Sequence, residues 1–128
     1  MSIDWTKKVS IEDKFAKAKE AKNIEISQAF ASYVTGSFTC SLGYPMQFDK
    51  NDSLLMEGAI QLMQASGATE GYLTDAEDVS HYNVPLADIQ TVKLEMLAEY
   101  AMAHLKKQTL RTQIDSATTQ AELDAIIY

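Results

Sequence analysis

Apolar residues recur at helical spacing from Ile11 through Phe15, Ala18, Ile26, Ala29, Phe30 and Tyr33, and the run stops at Gly36. Ser10 stands before it with Asp13 three residues on, an acidic variant of a capping box, which predicts a helix start there and a short arm ahead of it. The first half of this helix is thin in large apolar residues, so it is expected to project in part or to await a partner. The pattern then changes to period two. Phe38, Cys40 and Leu42 alternate, as do Met46 and Phe48, with Gly43 and Pro45 at the break, which predicts a hairpin or a kinked strand pair.

Asp49 through Ser53 offer N-caps for a second helix that closes at Gly67. Its apolar positions, Leu55, Met56, Ala59, Ile60, Leu62 and Met63, cover a broad face, and a broad face on a short helix predicts one sandwiched in the core. Tyr72 and Leu73, an acidic turn and Val79 to Val84 read as a second hairpin, with Pro85 limiting how central its last strand can be. Helical period returns from about Asp88 to Ser116, marked by Ile89, Val92, Met96, Tyr100, Ala103, Leu110 and Ile114. A short capped helix follows, with Thr119 and Glu122 as its box and Leu123, Ile126 and Ile127 as its apolar face, Tyr128 after them.

The elements together predict an α+β fold: an N-terminal helix, a small and mostly antiparallel sheet of two hairpins, a core helix, a long C-terminal helix and a short closing helix. With 128 residues the chain reads as one structural domain. Within it, residues 1–35 form the arm and partly projecting helix, and residues 36–128 the compact α+β domain. No internal repeat or low-complexity segment interrupts this reading.

Charge narrows the partners. The net charge is −7, yet residues 1–25 hold six lysines against five acids, which leaves −8 on the rest. An acidic body repels phosphate backbones, so nucleic acid is not expected as a partner. The lysines interleave with acids at helical spacing, the signature of a solvated face. The opening "MSIDWTKKVSIEDKF" lacks the apolar core of a signal peptide, and no apolar run approaches membrane length; cytoplasmic synthesis and no membrane partner are the expectations.

Candidate chemistry is sparse. His81 and His104 lack an acid at metal-pair spacing, and His104 is expected half-buried beside the packed stripe. Cys40, the only cysteine, reads as a small core residue, since nothing nearby supplies the base or positive charge of a reactive thiolate. The "DAED" run (Asp75 to Asp78) lacks the alternating oxygens and glycine of a calcium loop and reads as a solvated turn. No phosphate-cradling glycine loop or nucleophile elbow occurs. The expectation is therefore a protein that is not an enzyme, with no catalytic residue, no cofactor and no metal. Binding is better represented. Trp5, the single tryptophan, sits in the expected arm, and with Phe15 and Ile24 it forms the candidate partner-binding set.

"MQFDKNDSLLMEGAIQLM" and "IDSATTQAELDAIIY", joined by a long helix, resemble an uncharacterised domain family, a domain of unknown function found in bacteriophage and prophage tail and tail-fibre proteins. Phe48, Asp49, Ser53, Gly58 and Ala59 match its first segment. Ala117, Thr119, Glu122, Leu123, Asp124, Ala125, Ile126 and Tyr128 match the more specific second one, and the likeness spans residues 20–128. The resemblance implies a tail context, with other tail proteins or a second copy of the chain as partners. It implies a place in the bacterial host cytoplasm during assembly or in the virion tail. It transfers no activity. Three expectations follow: a tail component working through protein contacts of residues 1–35, a tail-fibre assembly chaperone absent from the mature particle, or, more remotely, an enzyme on host surface polymers. The closing helix is expected to fold back onto the long helix.

Overall fold

The computed structural model describes the chain from Trp5 to Tyr128, with side chains from Ser10 onward. Eight elements follow one another: α1 (Trp5–Val34), β1 (Ser37–Thr39), β2 (Pro45–Gln47), α2 (Lys50–Ser66), β3 (Glu70–Thr74), β4 (Ser80–Pro85), α3 (Leu86–Ser116) and α4 (Gln120–Asp124). Helices and two antiparallel two-stranded sheets make an α+β fold, as expected.

The first helix begins earlier than its capping pattern suggested. Ser10 lies inside α1, because no glycine or proline interrupts the chain between Trp5 and Val34 and an N-cap needs extended backbone that Ser10 does not adopt. There is thus no arm between Trp5 and Ser10. By contrast, α2 obeys its signals. Asp49 caps it with φ −69° and ψ 174°, its side chain accepting from Asp52 N at 2.9 Å while the Asp52 carboxylate accepts from Asp49 N at 3.2 Å. Gly67 ends it in the left-handed region, φ 73°, donating back to the last carbonyls.

The chain divides into two compact units, residues 1–31 with 104–128 and residues 32–103, whereas the sequence reading set a single boundary after residue 35. The first unit answers what the closing helix packs against. Leu123 and Ile126 join Ile26, Ile114 and Ala117 in one buried cluster, with Phe15, Ala18, Leu110 and Tyr128 against it. The closing helix therefore meets α1 as well as α3. Thr119 Oγ1 accepts from Glu122 N at 3.2 Å, but the returning Glu122 carboxylate takes Thr118 N at 2.9 Å, so the box is shifted by one residue. Ile127, expected on the apolar face, is 77% exposed, because α4 stops at Asp124 and the helical period no longer places it.

Two lysines of α1 also depart from the solvated-face reading. Lys19 Nζ donates to Asp115 O at 3.0 Å in the last turn of α3, and Lys22 Nζ to Ile126 O at 3.3 Å. Lys19 thereby meets the negative end of α3, while Lys22, also paired with Glu25 at 2.8 Å, meets a carbonyl just past α4. His104 is exposed rather than half-buried, its ring edge-on to Phe30 at 6.0 Å between centroids.

In the second unit Val34, Cys40, Met46, Phe48, Ile60, Leu73, Val84, Ile89, Val92 and Met96 are buried. Phe48 is edge-on to both Tyr33 and Phe38, each 5.6 Å away. The first hairpin pairs Phe38 with Met46 and turns at Gly43, φ 87°. Its loop is held to α3 by Glu95, which accepts from Ser41 N and, at 2.7 Å, from Ser41 Oγ. The second hairpin pairs Gly71 with Val84 and Leu73 with His81, so Tyr82 and Asn83 oppose Tyr72 alone. Asn83, at φ 56°, makes this bulge.

Candidate docking surface

The caps of α2 fix a helix of 17 residues that buries only Ser53 and Ile60 fully. Its opposite side is open. Leu54 is 62% exposed and Leu55 and Leu62 are each 74% exposed, so the expectation of a helix sandwiched in the core fails on this side. The periodicity was right about a broad apolar face, but only part of that face meets other elements. With Gly58, Ala59 and Ala65 these leucines make one uncharged surface at spacings of three and four residues. Exposed leucines standing singly are ordinary; three side by side on one helix face are the informative case.

This surface runs into a groove between α2 and β3. Buried Met46 and Met96 and half-buried Met56 and Met63 line it, with exposed Leu55, Leu62 and Tyr72. Four of the six methionines of the chain are gathered here. A Cβ on Gly71 would stand 2.9 Å from the end of the Met63 side chain, so the glycine lets α2 approach the strand. The bulge at Asn83 brings Tyr82, 71% exposed, beside Tyr72, 64% exposed, with ring centroids 6.0 Å apart. Acids border the surface. Asp52 lines the groove, its carboxyl held above the usual range by burial and by the neighbouring Asp49, whose own carboxyl is lowered chiefly by the hydrogen bond from Asp52 N. Glu57, on the other flank, is paired with Lys93, whose ammonium lowers its carboxyl.

A second constellation lies at the tip of the second hairpin. Asp75, expected in a solvated turn, is 9% exposed. Its Oδ1 accepts from Glu77 N at 2.9 Å and Val79 N at 3.0 Å, and its Oδ2 lies 2.8 Å from His81 Nε2. Tyr44, from the first hairpin, stacks on His81 at 3.5 Å and 8° between ring planes, and Ala76 N donates to Pro45 O at 2.7 Å. The arrangement ties the two hairpins together. Asp75 can orient the imidazole, yet no third group of the kind a metal or a nucleophile requires joins it among the described residues.

The candidates read from sequence fare differently. The Trp5 side chain lies outside the described residues. Phe15 is half-buried against the cluster of the first unit, so it packs within the chain. Ile24 is 52% exposed on the outer side of α1, beside Ala16, Lys19, Glu20 and Asn23. Leu94, Leu97 and Met102 form a further exposed row on α3. Sequence reasoning missed the α2 leucines as a surface, and the signal was there: a face wider than one neighbouring element could cover.

Among the described residues no helix is long and apolar enough to cross a membrane. No curated protein matches the chain, and no solved structure does. The model of one family covers residues 17–127, most of the chain, with the first of the segments that carry the likeness and the second as far as Ile127. The chain belongs to that family, the Domain of unknown function (DUF4376).

Proposed function

We propose that this chain is a non-enzymatic component of a bacteriophage or prophage tail that works through protein–protein contacts. The observation that carries the contact reading is the row of exposed leucines on α2, Leu54, Leu55 and Leu62, continuous with Tyr72. The tail context rests on the likeness of "FDKNDS" and "ATTQAELDAIIY" to segments of tail proteins. Other tail proteins are the partners, met in the bacterial cytoplasm during assembly. Nucleic acid is disfavoured by the charge of the 32–103 unit, which holds ten acidic and two basic side chains. The structure shifts weight from residues 1–35 to α2, since Phe15 is engaged internally and Ile24 alone of the described candidates faces outward.

A second reading, a tail-fibre assembly chaperone absent from the finished particle, draws on the methionine-lined groove. Unbranched thioether chains repack around clients of different shape. One experiment separates the two. After induction of the source strain, tail particles and soluble protein are resolved on a gradient and probed for the wild-type chain and for Leu55→Gln/Leu62→Gln. Wild-type chain in particles at fixed stoichiometry, lost in the variant, supports the tail component. Confinement to soluble complexes with a fibre protein supports the chaperone. A variant that distributes like wild type in every fraction sinks the contact role of α2.

A further inference from the structure

Resting on the reading of α2 as a contact surface, we infer that its occupant is an amphipathic helix of another protein, apolar along one side and bearing lysine or arginine along the edge that meets Asp52 and Glu70. Shape comes first. Leu54, Leu55 and Leu62 stand around Gly58 and Ala59, and this gap between large side chains accepts the apolar ridge of a second helix. The adjoining groove, with Met56 and Met63 half-buried in it, extends the apolar strip towards Tyr72. The strip itself carries no charged side chain, as an apolar ridge requires.

Charge then selects the partner. Asp52 and Glu57 flank the strip on either side of α2, and Glu70 precedes Tyr72 by two residues on β3. Glu57 already holds Lys93, so the added attraction comes mainly from Asp52, Glu70 and the −8 of the whole unit. A second copy of the same face is disfavoured, because a two-fold pairing sets these acids against their own images. A helix with a basic edge on that side meets them with opposite sign.

The test uses the full-length chain and a fluorescent synthetic helix about five turns long, made of leucine and lysine with the leucines at helical spacing. Two controls accompany it: the same composition scrambled, and a leucine–glutamate helix of the same pattern. At physiological ionic strength the leucine–lysine helix is expected to bind at least about tenfold more tightly than either control, by fluorescence anisotropy. Leu55→Gln/Leu62→Gln, which changes no charge and touches only residues 74% exposed, is expected to lose about tenfold. Equal binding of a control, or undiminished binding by the variant, overturns the occupant. Sedimentation of the chain alone is expected to show no dimer that the variant dissolves; such a dimer assigns the face to a second copy and overturns the proposal. The two readings fail separately. If the variant loses tail association while the leucine–lysine helix shows no preference, the occupant is wrong and the contact surface stands. If tail association is unchanged, the contact surface itself is wrong.

Discussion

Asp75 and His81 meet across the second hairpin, Oδ2 to Nε2 at 2.8 Å, with the carboxylate otherwise satisfied by two backbone amides of its own turn. The His81 hydrogen bond is the largest cause that holds the Asp75 carboxyl below its ordinary value of 3.8, helped by Val79 N and Glu77 N. A carboxyl lowered on folding stabilises the folded chain at any pH above its unfolded value, and that contribution is lost as pH falls through the folded value. Denaturant melts should therefore show stability falling from about pH 4 downward. Asp75→Asn should lower the midpoint at pH 7 and flatten that acid limb. An unchanged acid limb would mean that other carboxylates produce it.

Ile26 and Leu123 are 1% and 0% exposed within the same cluster. Truncating either to alanine should cost about 2–5 kcal/mol in equilibrium unfolding. The double variant should depart from additivity, because the two sites share one cluster. Ile127→Ala, at a position 77% exposed, should stay within about 0.5 kcal/mol. Deleting residues 1–35, read from sequence as lying outside the compact 36–128 domain, removes Phe15 and Ile26 from beneath the closing helix. Amide exchange at Leu123 and Ile126 should then become fast, and slow exchange in the deleted chain would show that α3 alone holds the segment.

The two ends of α2 allow a matched pair of measurements. Asp49→Ala removes the side-chain acceptor for Asp52 N and should cost about 1 kcal/mol, while Asp49→Ser keeps most of it. Gly67→Ala puts a Cβ on a residue at φ 73° and should cost about 1–2 kcal/mol. Nothing lies within 4 Å of that Cβ, so the penalty is conformational and no steric relief elsewhere can remove it.

Lys19 and Lys22 should behave as end-caps. Lys19→Gln and Lys22→Gln are each expected to lose about 0.3–1 kcal/mol, and the loss should shrink as salt is raised from low ionic strength. Lys17, whose ion pair with Asp13 lies four residues back on the same exposed face, should be near neutral to the same change. Equal losses at all three positions would point to the net charge of the helix in place of the carbonyl contacts.

Local signals carried most of the elements. Gly67, Asp49 and Thr119 each act within one turn of chain, and so each was readable from neighbours in sequence. Period-two alternation marked the first hairpin, and an acidic turn between two apolar arms marked the second. The failures share a cause in distance. Tyr44 and His81 stack across 37 positions, and no spacing rule links them. Lys19 finds a carbonyl 96 residues away. The width of the α2 face was legible, but which of its leucines meet the core depends on where β3 and α3 run, a tertiary fact. Ser10 misled for the opposite reason: its capping pattern was real, but with no glycine or proline from Trp5 to Val34 the helix runs through it.

The extra residue in β4 has a bearing on what changes of length the chain can absorb. With Tyr82 and Asn83 set against one residue of β3, three steps of β4 match two of its partner, and the left-handed Asn83 absorbs the extra one. Removing Asn83 would leave Leu73 paired with His81, Tyr72 with Tyr82 and Gly71 with Val84, a regular ladder in which Val84 keeps its inward face. The Ser41–Gly43 loop can likewise change length without altering the register of β1 and β2, provided Ser41 keeps its bonds to Glu95. Length variation among related chains should therefore gather at Leu42–Gly43 and include loss of the extra residue at Tyr82–Asn83.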